Sequence, residues 1–329
     1  MAEVKDFLVE IGTEELPPKA LTSLIDAFAH SLQQQLTGLE LGYTALHAYA
    51  TPRRLAVRID GLQTAQPDKI VERRGPPLKI AFDADGKPTK AAEKFAENCG
   101  IDPGEIKTIK TDKGEWLFYT GMEAGQQTAD LLPGCVQQAL SSLPIPKRMR
   151  WGDLDVEFVR PVHWAIMLWG EDVIATDLIG MVTGNTTYGH RFHAPQAITI
   201  NRPAEYPDKL KEDGWVIADP VERRDLISEM VAAAAKSCGG EVVSDDALLD
   251  EVAALVEWPV PVAGEFDQRF LQLPPEVLIS TLKDHQRYFP VVKNAAQADS
   301  ILPWFVTVSN ISSEDPQQVK KGNERVVAP

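Results

Sequence analysis

Apolar residues follow two rhythms near the start of the chain. Phe7 to Ile11 (FLVEI) is a short, almost continuous apolar run, which predicts a buried strand. After Gly12-Thr13 the rhythm changes, and Leu21, Leu24, Ile25, Phe28, Leu32 and Leu36 recur at helical spacing. Pro17 and Pro18 suit the first turn of that helix, where no amide hydrogen is required, and Gly38 closes it. Glu14 and Glu15 fall just ahead of its N-terminus, where negative charge is favoured, so they have a structural reason to be there. Glu10 has none of this kind, because it lies inside the apolar strand.

Leu55 to Ile59 alternates as a second strand behind TPRR. From about Thr64 the texture becomes charged and proline-bounded (PDKIVERRGPP), with a strong turn signal at DADGKP. KAAEKFAENCGI predicts a short helix capped by Gly100, and IKTIKTDKGEWLFYTGMEAG a hairpin turning at Asp112-Lys113-Gly114. A helix resumes from Asp130 to Leu143. The basic loop IPKRMRWGD, the strands FVRPVHWAIMLWG and DVIATDLIG, and the turn-rich GHRFHAP follow. In the last third, Trp215 to Asp219 reads as a strand. Asp219, Pro220 and Glu222 open a helix with the stripe Leu226, Ile227, Met230, Val231 and Ala234, ended by Gly239-Gly240. A helix from Asp245 to Val256, another between Pro274 and Asp284, and strands at VPVAGEF, YFPVVK and WFVTVSN complete the reading.

These elements predict an α+β, multidomain chain with mixed sheets and packed helices. Residues 1–64 and 126–200 form a discontinuous first domain, 65–125 a small inserted helix-plus-hairpin module, and 201–329 a second α/β region. The terminal KGNERVVAP reads as the approach to a further element.

Composition adds limits. With 44% hydrophobic and 25% charged residues, the chain lies far from the disordered regime and can bury an ordinary core. No apolar run reaches membrane-spanning length, no signal pattern opens the chain, and Cys99, Cys135 and Cys238 stand far apart. Together these point to a reducing cytoplasm with the thiols as small core residues. The net charge of −15 argues against an anionic partner until its distribution is considered. Ala204 to Asp267 alone carries 16 acidic and 5 basic residues, a net of −11, so the remainder is close to neutral and its basic residues cluster.

Several chemistries are missing from the sequence: the phosphate loop, the dinucleotide fingerprint, the nucleophile elbow and the zinc helix. His190 and His193 in GHRFH have a spacing that a metal accepts only on a helix, and no third ligand is near, so local hydrogen bonding is the simpler reading. His285 beside Asp284 can act as a general base or simply be solvated. The basic clusters are more suggestive: Arg53-Arg54, Arg73-Arg74 and Lys147-Arg148-x-Arg150, joined by Arg160 and Arg191. Each sits beside a proline, a glycine or an aromatic, as arginines held on rigid turns against phosphate oxygens do, and Trp151 and Phe192 offer rings for stacking. The alternative is a solvated face, or arginines paired with the many acids.

FLVEIGTEELPPKAL closely resembles the opening of the beta subunit of bacterial heterotetrameric glycyl-tRNA synthetase. The resemblance continues in order through TPRRLA, RRGPP, KAAEKFA with CGI, TDKGEWL, LPIPKRMRWG, FVRPVHW, GHRF, EVAALVEWP and DPQQVKKGNERVV, essentially the whole chain. It implies a chain with no catalytic residue and no cofactor of its own. Alpha subunits would carry the class II site, using ATP with Mg to activate glycine, and beta chains would recognise tRNA(Gly) within an alpha2-beta2 cytoplasmic assembly without membrane contact. It further implies a region similar to the B3/B4 domains of the phenylalanyl-tRNA synthetase beta chain, and, beyond this stretch, an HD-like helical domain and an anticodon-binding domain. Consistent with a non-catalytic role, neither the HIGH and KMSKS motifs nor the arginine-bearing class II motif is seen. With a tRNA as the implied partner, the basic clusters become the expected RNA contacts: Arg53, Arg54, Arg73, Arg74, Lys147, Arg148, Arg150, Trp151, Arg160 and Arg191. Two other functions stay open. One is an editing-type hydrolase using Glu10 with His163 or His190, for which glycine, the smallest amino acid, creates little need. The other is a pure scaffold for alpha.

Overall fold

A computed structural model describes residues 3–83, 85–112, 114–297 and 299–327. Lys113 of the expected hairpin turn and Ala84 of DADGKP lie outside the described residues. The chain opens with β1 (Val4–Thr13), α1 (Pro18–Gly38), β2 (Ala45–Thr51) and β3 (Arg54–Gln63). It continues through β4 (Lys69–Pro77), α2 (Leu78–Ala81), α3 (Lys90–Cys99), β5 (Lys107–Thr111), β6 (Gly114–Glu123) and α4 (Thr128–Ser141). Short strands follow: β7 (Met149–Arg150) and β8 (Glu157–Phe158) pair, β9 (Val162–Trp169) pairs with β10 (Asp172–Val173), β11 (Asp177–Leu178) with β12 (Met181–Val182), and β13 (Thr186–Tyr188) with β14 (Ala197–Thr199). The last part holds α5 (Tyr206–Glu212), α6 (Pro220–Ser237), β15 (Glu241–Val242), α7 (Asp246–Ala253), β16 (Val260–Glu265), α8 (Pro275–Ser280), β17 (Phe289–Val292), β18 (Ile301–Ser309) and α9 (Pro316–Val327). The fold is α+β, with several antiparallel sheets and packed helices.

The first sheet, in the order β10-β9-β1-β3-β2, explains the apolar run at the chain's start. Phe7, Val9 and Ile11 face α1 and α4, packing with Leu24, Phe28, Leu32, Val136 and Leu140. Leu8 faces the other way, with Ala56, Ile166 and Leu168, onto Ile198, Tyr206, Leu210 and Val216. Alternate side chains of a strand point to opposite faces, so a central strand covered on both sides must be apolar at nearly every position. A second sheet, β15-β17-β18-β16, packs on α6 and α7 through Ile227, Val231, Leu248, Val252, Val291 and Val306.

Several expectations are corrected. PDKIVERRGPP is a strand, β4, pairing with β6, so residues 65–125 hold a three-stranded sheet, β4-β6-β5, rather than a helix and hairpin alone. Its charged residues fit an edge strand. Trp215 to Asp219 is no strand: Val216, Ile217 and Ala218 are buried, but their backbone bonds go singly to Leu210, Glu257 and Ala50. DVIATDLIG splits into β10 and β11, and the helix expected to Asp284 ends at Ser280, followed by a π turn over Thr281–His285. Asp245 caps a helix that stops at Ala253 rather than Val256. Of the three cysteines, only Cys135 is buried. Strand β2 and helices α5 and α9 were not anticipated.

Helix α6 begins as expected, with the Asp219 carboxylate accepting from the Val221 and Glu222 amides. Its buried face, however, is Arg223, Ile227, Val231 and Ala235. Arg223 is fully buried and donates to three carbonyls, from Nε to Ala253 (2.9 Å), Nη1 to Ile217 (2.6 Å) and Nη2 to Ala50 (2.8 Å). Burial pushes its pKa down to about 10, so it stays a cation at neutral pH. The side chain joins β2, the Val216–Ala218 connection and the end of α7, and no apolar residue can replace it. We expect Arg223→Met to lower the urea-unfolding free energy by roughly 3 kcal/mol or more, because three buried acceptors lose their donor. A loss below about 1 kcal/mol would show that those carbonyls are satisfied without it.

Candidate nucleic-acid interface

The TPRR turn explains how two neighbouring arginines come to differ. Thr51 pairs with Arg54 across the β2–β3 hairpin, leaving Pro52 and Arg53 as its two-residue loop. Arg54, on the strand, points into the protein and has 0% exposure. Its Nη2 donates to the Tyr188 carbonyl at 3.0 Å and lies 3.3 Å from Glu257 Oε1, and its Nε is 4.0 Å from Glu10 Oε1. This corrects the expectation that Arg54 meets RNA: it is a core residue. The question of Glu10 is answered here as well. Glu10 Oε1 accepts from Trp164 Nε1 (2.6 Å) and Thr187 Oγ1 (2.7 Å), so the carboxylate serves as a buried acceptor.

Arg53, Arg160 and Arg191 are brought together from three separate loops around a cavity of about 410 Å³, also lined by Glu15, Phe192, Glu257 and Asn310. A second cavity of about 270 Å³, with His163, Trp164 and Tyr188, shares Arg53 and Arg191 as its wall. Arg53 lies over the Trp164 ring, 5.5 Å from its centroid. Its Nε is buried without a hydrogen-bond partner. Burial lowers the pKa of this guanidinium, against the pull of Glu257. Arg160 is anchored on backbone, donating from Nε to Glu15 O (3.0 Å) and from Nη1 to Val159 O (3.1 Å). Arg191 is the most neutralised of the three, with Nη2 2.6 Å from Glu14 Oε2 and Nη1 3.4 Å from Glu15 Oε1. Glu14 also meets His163 Nε2 at 2.9 Å, and the Arg191 hydrogen bond holds its carboxyl below the ordinary range. Glu14 and Glu15 therefore orient this rim as well as preceding α1.

The other expected residues lie apart from this pocket. Arg73 and Arg74 are on β4, where Arg73 donates to Asn98 O (2.9 Å) and Arg74 stacks on Trp116, 4.3 Å from the ring centroid. Lys147, Arg148 and Arg150 are exposed, Arg148 donating to Ser141 O (3.0 Å) and Arg150 paired with Asp155. Trp151 is half-buried against the first core, which restricts the stacking expected of it, whereas Phe192 is 67% exposed at the pocket rim. Arg160 Nη1, 3.4 Å from Met149 Sδ, connects the Lys147–Trp151 loop to the pocket.

Glu10 and His190 are both fully buried, and His163 is engaged by Glu14, so the acid–base pairs imagined for hydrolysis are not assembled at an open surface. The Asp284 carboxylate takes the Ser280 hydroxyl (2.7 Å). Sequence reasoning missed Glu257 and Asn310. Glu257 carried the same signal as Glu10, an acid inside an apolar run (ALVEWPV).

The sequence comparisons place the chain among the components of aminoacyl-tRNA synthetases, a class of ligases used in translation. Residues 7–329 match the family model described as glycyl-tRNA synthetase beta subunit, and the chain belongs to that family. It is 54% identical over 325 residues to the glycine–tRNA ligase beta subunit of Hahella chejuensis, covering 99% of this chain and 46% of that protein. The namesake from Marinobacter nauticus is 52% identical over 326 residues (99% and 47%), and that of Coxiella burnetii 46% identical over 323 residues (98% and 46%). The chain thus spans about half the length of the curated relatives it matches. Among the described residues, no helix is long and apolar enough to cross a membrane.

His190 supports the Phe192 end of the pocket through a titratable acceptor. Its Nδ1 accepts from the Phe192 and His193 amides at 3.2 and 3.3 Å. Burial lowers its pKa, and the nearby His193 adds to this while Glu257 opposes it. A base whose pKa is depressed by folding stabilises fully above its unfolded value and loses that contribution as pH falls. The thermal midpoint should therefore drop between pH 7.5 and 5.5, and His190→Gln should flatten the slope. An unchanged slope in the variant would assign the pH dependence to other groups.

Proposed function

We propose that this chain is the non-catalytic, tRNA-positioning part of a glycyl-tRNA synthetase. It supports the ATP- and Mg-dependent attachment of glycine to tRNA(Gly) by the alpha subunit of an alpha2-beta2 assembly, and it holds no cofactor itself. The observation that carries the reading is the convergence of Arg53, Arg160 and Arg191, with the guanidinium of Arg53 poised over Trp164 and its Nε buried without a partner. A guanidinium held on a rigid hairpin is suited to phosphate oxygens, which fix register and orientation without reading sequence. The exposed Lys147, Arg148 and Arg150 extend the same face through Arg160, and Arg73 and Arg74 supply a second basic edge. The net charge of −15 does not oppose this, because the acidic surplus lies mostly in residues 204–267.

Binding of tRNA(Gly) to this chain, measured at two salt concentrations, tests the reading. Affinity should fall steeply with salt, and replacing Lys147, Arg148 and Arg150 with Ala should lower the logarithmic salt slope by about one for each phosphate no longer neutralised. No binding at low salt, combined with co-purification with the alpha subunit, would replace the RNA role with a scaffolding one.

A further inference from the structure

Phosphate binding leaves part of the pocket unexplained. Glu257 is 1% exposed, yet it lines the same cavity as Arg53 and Arg160. One carboxylate oxygen is committed: Oε1 accepts from Thr51 Oγ1 at 2.7 Å and lies 3.3 Å from Arg54 Nη2. The hydrogen bond and ion pair found for this carboxylate among the described residues both fall on Oε1, not on Oε2. The backbone is fixed as well, since the Glu257 and Trp258 amides both donate to Asn310 Oδ1, at 2.7 and 3.1 Å. A carboxylate held this firmly in the lining of a cavity, with one oxygen uncommitted, is suited to a hydrogen-bond donor.

The arginines lining the same cavity require the reverse. Arg53 carries a buried, unpartnered Nε, and Arg160 has placed Nε and Nη1 on backbone carbonyls, leaving Nη2. Arg191 is occupied by Glu14 and Glu15. A ligand that satisfies both kinds of group presents anionic oxygens to Arg53 and Arg160 and hydroxyl hydrogens to Glu257. Inorganic phosphate meets the first need and is repelled by the second. A ribose phosphate with a free vicinal diol meets both, because its phosphate only accepts while its hydroxyls donate to a carboxylate. The exposed Phe192 ring at the rim offers a face for a base. A cavity of about 410 Å³ has the size of a small-ligand site and is too small for a duplex.

We infer that this pocket binds one ribonucleotide bearing a free 2′,3′-diol, with its phosphate on Arg53 and Arg160 and its diol on Glu257. The same chemistry occurs in a soluble mononucleotide and at the 3′ terminus of an RNA strand. Only the second source rests on the proposed RNA role.

Calorimetric titration with AMP, dAMP and inorganic phosphate tests the chemistry directly. AMP should bind, dAMP at least tenfold more weakly, and phosphate more weakly still. Arg53→Met should weaken AMP at least tenfold while the variant still folds cooperatively, because the guanidinium loses its packing on Trp164 but its buried Nε has no hydrogen bond to lose. Glu257→Gln should remove the AMP-over-dAMP preference. It also takes a charge from beside Arg54, so Arg53→Met carries the test if that variant does not fold. Source is distinguished with a short RNA having a free 3′-diol and the same RNA after periodate oxidation. Tighter binding of the untreated strand assigns the RNA terminus, whereas AMP selectivity with indifferent RNA assigns a mononucleotide. If AMP binds no better than dAMP and oxidised RNA no worse than intact RNA, the inference is overturned. Salt-sensitive tRNA binding in that case would leave the RNA role standing by itself.

Discussion

A fully buried guanidinium can persist only where the surrounding chain supplies fixed acceptors, and Arg54 imposes that requirement on this structure. Its partners come from distant parts of the sequence: Glu257 beyond α7, Glu10 on β1 and the Tyr188 carbonyl at the end of β13. Removing any of them leaves charge uncompensated in the core, which is far more costly than losing a surface pair. Glu10 in turn accepts from Trp164 and Thr187, and Glu257 from Thr51, so one polar network crosses the first sheet and reaches the second region. Arg223 repeats the device with three carbonyls.

The candidate pocket is the outer face of this network. Arg53 is the residue before Arg54, Trp164 both underlies Arg53 and donates to Glu10, and Glu257 takes part in core and cavity alike. Rigidity demanded by the buried charge is thereby passed to the side chains at the rim. A binding site gains from such pre-organisation, because less conformational freedom is lost when the ligand arrives. The acids Glu14 and Glu15 have a related effect: by engaging Arg191 they leave Arg53 and Arg160 as the main sources of unused donors.

Much of the fold was legible wherever a local rule acted alone. The stripe from Leu21 to Leu36 is the buried face of α1, the Gly100 cap has the left-handed φ of 67° that a glycine tolerates, and the Asp219 carboxylate caps α6. Reading failed where a neighbour decided. PDKIVERRGPP read only as a charged, proline-bounded stretch because its charges hide the strand, yet β6 supplies the ladder that makes it one. Val216 to Ala218 looked like a strand because it is apolar, but Trp215 takes a left-handed φ of 54° and no partner strand lies alongside. The expected apolar stripe of α6 left out Arg223, since burial of an arginine depends on three carbonyls no pattern in the helix reveals.

By itself, the sequence determined the long helices α1 and α6 with their start signals, the buried central strand, the uneven charge and the family motifs. Each of these depends on residues close together in the chain. Only the tertiary structure decided which of the two arginines in TPRR enters the core, that Glu10 is an acceptor for Trp164 and Thr187, and that Glu257 lines one cavity with Arg53. Those roles rest on contacts between residues about 130 to 200 positions apart. Hydrophobic periodicity reports which face of an element is buried, but not which buried polar groups will find one another.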